Sequence, residues 1–235
     1  MSARTATSLA RSIAERLRAQ PVLGTPTLHR LRRGFSKELA GEDADVVLGT
    51  ALRLHRSPGA PGARMIACAI VGNHPAALER LDAAGLERFG SDLTSWGDVD
   101  MFGCLLAGRA WRDGSIADDT IHGWARSKDR WFRRLALVCT VPLNVKAQGG
   151  RGDSKRTLKV CELLVDDRDD MVVKALSWAL RELATRDPNA VAMFVADQEA
   201  ALAARVKREV RSKLETGVKH ARSRRAVPRR AQKRS

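Results

Sequence analysis

Residues 171–186 read MVVKALSWALRELATR, and this stretch decides the fold. At about 100° per residue, Val172, Val173, Leu176, Ala179, Leu180 and Leu183 fall in one apolar sector, the pattern of a helix buried along one face. Trp178 lies roughly opposite that sector, between Lys174 and Arg181. A core tryptophan would join the apolar stripe, whereas an indole left on the polar face between two cations suits stacking or sugar contact on a polyanion.

The same period recurs along nearly the whole chain, with no convincing alternating strand pattern, so the expected class is all-α. Helices are predicted over 4–19, 27–40, 43–56, 61–73, 75–89, 96–110, 115–126, 129–141, 154–165, 169–186, 188–196 and 198–215. The breaks carry turn chemistry: Ser57-Pro58-Gly59, Asn73-His74-Pro75, Arg112-Asp113-Gly114, the glycine-rich run 149–153 and Asp187-Pro188-Asn189. They divide the chain into helix pairs of roughly 35 to 45 residues, the spacing of HEAT-like repeats. Stacked pairs would form a solenoid with a concave face, and a basic concave face can wrap a duplex. The expected organisation is a single repeat domain over 1–216 and a basic, disordered tail over 217–235.

The formal net charge is +15 on 235 residues. Lys219, Arg222, Arg224, Arg225, Arg229, Arg230, Lys233 and Arg234 supply eight of those charges with no acid among them, leaving a body of +7. Such a run adds salt-sensitive, sequence-independent affinity for phosphates. Cys68, Cys104, Cys139 and Cys161 are far apart in apolar stretches, with neither a CxxC pair nor a Cys/His cluster, so they read as core thiols in a reducing compartment and no metal is expected. The five histidines show no metal spacing and no nucleophile partner. Without a signal peptide or membrane span, the protein is expected in the cytoplasm, associated with the nucleoid when bound to DNA.

Two further constellations stand out. In Ser95-Trp96-Gly97-Asp98-Val99-Asp100, Trp96 and Asp100 are i, i+4 neighbours at a helix start, and Gly103 and Ala107 extend their stripe. The stripe is expected to face outward, where small residues let a large ligand approach. Asp98 and Asp100 equally suit the first turn as caps, where the helix dipole favours acids, and the sequence leaves both readings open. In Arg130-Trp131-Phe132-Arg133-Arg134 the three arginines share a sector of roughly 100°, where a forked guanidinium suits a phosphate. An isolated arginine cluster is more often a solvated face, and Trp131, Trp111 and Trp124 read as core. The run Gly149 to Gly152 lacks the context of a phosphate-binding loop and reads as a flexible inter-repeat connection.

Together, Ser-Trp-Gly-Asp-Val-Asp at 95–100, Arg-Trp-Phe-Arg-Arg at 130–134 and Val-Val-Lys-Ala-Leu-Ser-Trp-Ala-Leu-Arg-Glu at 172–182 resemble the AlkD-like DNA alkylation repair family of HEAT-like-repeat glycosylases. The resemblance covers nearly the whole chain and is closest over 90–215. It implies a catalytic aspartate at Asp100, cleft tryptophans at Trp96 and Trp178, and a phosphate-binding arginine at Arg134. Arg130, Arg133, Lys174 and Arg181 are further candidate DNA contacts. The implied activity is cofactor-free hydrolysis of the N-glycosidic bond of cationic alkylpurines in duplex DNA, by a monomer, with the lesion left stacked rather than flipped. The chain departs from the family in lacking the acid that often precedes Arg64 and in having no tyrosine. A non-catalytic module for damaged or branched DNA is the alternative, and a protein-binding adaptor a third.

Overall fold

The structure is a computed structural model, described here for residues 5–20, 24–90 and 93–219. Among these residues every regular element is helical. In chain order they are α1 (Ala6–Arg18), α2 (Thr25–Glu38), α3 (Ala44–His55), α4 (Ala63–Gly72), α5 (Pro75–Glu79), α6 (Ala83–Gly90) and α7 (Trp96–Phe102). A π-helical turn (Gly103–Ala107) leads into α8 (Gly108–Arg112), then α9 (Asp118–Ala125), α10 (Arg130–Cys139) and α11 (Val141–Asn144). After a 3₁₀ turn (Lys146–Gln148) come α12 (Ser154–Leu163), α13 (Asp170–Ala184), α14 (Pro188–Asp197) and α15 (Ala204–Thr216).

Helix starts follow the capping residues. Asp129, Asp169, Asp153 and Asp187 each stand immediately before a helix and accept a first-turn backbone N–H, from Trp131 at 2.8 Å, Met171 at 2.8 Å, Arg156 at 2.9 Å and Ala190 at 3.0 Å. Each such cap satisfies a donor that the helix itself leaves unpaired. Burial then selects the faces. On α13 the buried residues include Val172, Val173, Leu176, Ala179, Leu180 and Leu183, the sector expected from the sequence.

The helices pack in a repeating order. One series runs α2, α4, the α7–π–α8 segment, α10, α13 and α15, each packed on the next, while α3 packs on α4, α9 on α10, α12 on α13, and α14 on α13 and α15. This packing is that of a helical-repeat protein. One continuous core runs through these helices, from Leu9 and Ile13 of α1 through Trp111 and Leu135 to Val206 and Val210. Trp111 is wholly buried, its indole N–H donated to Asp118 Oδ1 at 2.7 Å. Trp124 and Trp131 are half-buried against the core. Cys68, Cys139 and Cys161 are buried free thiols and Cys104 is partly so. Burial pushes Cys68 up to about 12.

Four local expectations are corrected. The helix expected over 75–89 is two, because Asp82 accepts the Gly85 N–H at 2.7 Å and starts a new helix after Leu81 turns into the core. The helix expected over 96–110 changes pitch at Gly103–Ala107, where the Gly108 N–H bonds Gly103 O, five residues back. The helix expected over 198–215 begins only at Ala204, after a turn that buries Leu202. The run Gly149 to Gly152 is a pinned loop rather than a flexible one. Gly149 takes φ 85°, and a Cβ on Gly150 would lie 2.6 Å from Pro142 O. Arg186 spans the loop with Nε to Asn144 O at 2.7 Å and Nη2 to Gly150 O at 2.9 Å. The expected tail lies outside the described residues from His220 onward.

Candidate active site

The opening of α7 separates the two acids that the sequence left equivalent. Ser95 caps the helix by accepting the Asp98 N–H at 3.2 Å, and its hydroxyl donates to Asp98 Oδ2 at 2.7 Å. Asp98 therefore serves the cap, and Asp100 is free for another partner.

That partner is Arg134. Its Nε donates to Asp100 Oδ1 at 2.9 Å and its Nη2 to Asp100 Oδ2 at 2.8 Å, a bidentate fork across α7 and α10. A third donor, Nη1, bonds Met171 O at 2.5 Å, tying the pair to the first turn of α13. The Arg134 side chain is 7% exposed and that of Asp100 21%. Burial raises the Asp100 carboxyl above its ordinary value, outweighing the hydrogen bonds and charge of Arg134, which pull it down. A guanidinium carries five N–H groups, and the fork and the Met171 carbonyl take three.

The tryptophans differ. Trp96, one turn before Asp100, is 60% exposed. Trp178 is not the freely exposed indole expected: it is half-buried against the core, and its Nε1–H donates to Glu182 Oε1 at 2.9 Å. Met171, whose carbonyl Arg134 engages, and Trp178 are seven residues apart on one face of α13, about 10 Å along its axis. Sequence reasoning missed Glu182 as a residue that orients the indole. The signal was there, an i, i+4 donor–acceptor pair on the polar side of the helix.

Gly103 and Ala107 do not form an open floor. Both are buried, and a Cβ on Gly103 would lie 2.7 Å from Val138 Cγ1, so the small residues admit α10 rather than a ligand. The expected arginine sector also splits. Arg133 bonds Asp167 at 2.7 Å and the carbonyls of Ser127 and Lys128, closing the loop before α10. Arg130 lies 3.7 Å from Asp169 and 4.8 Å over the Trp131 ring. On α13, Lys174 pairs with Asp170 at 2.6 Å, and Arg181 bonds Ser177 Oγ at 3.3 Å with the buried Glu209 4.0 Å away. Each of these cations has a carboxylate near it.

The helices thus bring together a half-buried, arginine-clamped carboxylate and, one turn before it, an exposed indole. The chain matches the model of the DNA alkylation repair enzyme family over residues 3–214, and it belongs to that AlkD-like family. No curated protein and no solved structure matches it. Among the described residues no helix is long and apolar enough to cross a membrane.

Proposed function

We propose that the protein is a monofunctional DNA glycosylase that hydrolyses the N-glycosidic bond of cationic alkylated purines, such as 7-methylguanine and 3-methyladenine, in duplex DNA. The observation that carries this reading is the Asp100 carboxylate, half-buried and held in one orientation by Arg134. Alkylation leaves the purine positively charged, so the base departs with the C1′–N electron pair and becomes neutral without needing a general acid. The deoxyribose gains oxocarbenium character as it does so. A fixed carboxylate in a partly desolvated setting stabilises that cation more than water would and needs no reorganisation. Water then forms the C1′–O bond and gives up its proton, with Asp100 placed to orient it.

The indoles of Trp96 and Trp178 present π faces that favour the same positive charge. Arg134 retains two N–H groups beyond those it spends on Asp100 and Met171, and these suit a backbone phosphate next to the reacting sugar. Arg130 and Lys174, the more exposed of the remaining candidates, would contact phosphate only in exchange for their carboxylate partners. The lesion need not leave the stack, because every group invoked acts on the sugar and backbone.

Selectivity then follows from the leaving group. Duplexes carrying 7-methylguanine should lose the base in the presence of the protein, and duplexes carrying uracil, a neutral base, should not. Release of both at similar rates would remove the leaving-group account.

A further inference from the structure

The cations expected to grip DNA, on α10 and α13, lie against Asp100, Asp167, Asp169, Asp170 and Glu209, so most of their charge is already balanced within the protein. The opposite holds on α2, whose sequence, TPTLHRLRRGFSKE, carries Arg30, Arg32, Arg33 and Lys37 against one acid, Glu38. Glu38 is engaged by Arg16 of α1 at 2.8 Å. Among the described residues, none of the four α2 cations makes an ion pair or a side-chain hydrogen bond.

Arg32 lies near another cation, Arg109 of α8, whose pKa burial, Arg112 and Arg32 lower and Asp113 raises. Phe35 is the single buried side chain of α2, and Arg30 and Arg33 are exposed. Leu28 of α2 and Gly97, Asp98 and Met101 of α7 line one cleft of about 600 Å³. Arg56 and Arg64 also border it. The cationic helix therefore borders, through Leu28, the same cleft as the helix that carries Trp96 and Asp100.

We propose that α2 is a separate grip on the duplex backbone, in which Arg30, Arg32 and Arg33 bind phosphates away from the reacting nucleotide while α10 and α13 position the reactive group. This rests on the DNA reading above. A like-charged surface without internal partners destabilises the folded state by self-repulsion, and a row of phosphates relieves it. Displacing condensed counterions from that row makes the affinity steeply salt-dependent.

The test is binding of an undamaged duplex across a salt series by the full chain, the triple variant Arg30→Ala/Arg32→Ala/Arg33→Ala, and the matching triple lysine variant. The alanine triple should weaken binding about tenfold or more and flatten the slope of log Kd against log salt by about 2 to 3, close to 0.9 per lost contact. The lysine triple, which keeps the charges, should retain most of the slope. At limiting protein, base release by the alanine triple should fall in step with its affinity. An alanine triple that remains folded by its helix content and binds with the wild-type slope would overturn the assignment, and base release by it would leave the glycosylase reading standing. An intact protein that releases no base yet loses binding with the alanine triple would overturn the glycosylase reading and keep the α2 grip.

Discussion

At the scale of single residues, the Asp100–Arg134 fork has the larger consequence. Arg134 lowers a carboxyl that burial raises, so its removal leaves burial unopposed. The ionised carboxylate is the form that stabilises a sugar cation. Activity should therefore fall as pH drops through the raised Asp100 value, and in Arg134→Ala that acidic limb should move to higher pH. A pH–rate profile at saturating protein checks this, and a limb that stays in place would mean that Arg134 does not set the charge of Asp100. The same substitution should cost about 2–3 kcal/mol near neutral pH, below the range for fully buried pairs because Asp100 is partly exposed. A carboxyl raised in the native state binds its proton more tightly when folded, so its contribution to stability is present at low pH and lost as pH rises through that value. The deficit of Arg134→Ala should accordingly shrink on acidification, which thermal unfolding at several pH values measures. Glu182→Ala frees the Trp178 indole, and it should slow base release about tenfold while leaving duplex affinity within about twofold, in line with the general cost of disordering a positioned group. Equal loss of rate and affinity would make Glu182 a binding contact instead.

At the scale of elements, helix positions and faces were legible because capping aspartates and a 3.6-residue period are local signals. The apolar sector of α13, the helix start at Ser95 and the burial of Trp111 all follow from them. The π turn at Gly103–Ala107 was not legible, since its cause is tertiary: Gly103 and Gly108 admit α10, and Gly72 admits the turn itself. A Cβ on Gly72 would lie 1.9 Å from Leu105 O, a backbone atom that cannot step aside. Gly72→Ala should therefore destabilise the protein by about 3 kcal/mol or more, at the upper end of overpacking costs, although alanine is the better helix former. Calorimetric or denaturant unfolding gives the number, and a neutral or stabilising result would show that α4 does not approach the turn so closely. The open ligand floor expected from Gly103 and Ala107 failed for the same reason. Small residues on a helix mark close approach, and the sequence does not say whether the visitor is a ligand or a neighbouring helix.

For the whole molecule, the sequence motifs carried the family, and the match over residues 3–214 agrees with them. They did not reveal how charge is distributed. A count of cations over α10 and α13 overlooks the acids that meet them from adjacent turns and helices, and the cation run on α2 drew no notice because no motif contains it. The net charge of +15 stays real at this scale, yet it acts where partners are missing rather than where arginines are densest.

The central claim is that Asp100 performs the chemistry while the rest of the surface supplies binding. The most direct measurement is release of 7-methylguanine from a methylated duplex by the intact protein and by Asp100→Asn, with duplex affinity determined for both. The account predicts release by the intact protein, a loss of about a hundredfold or more in Asp100→Asn, as expected when a preorganised charge is removed, and similar affinity for the two. Binding without release by either protein, or undiminished release by Asp100→Asn, would contradict it.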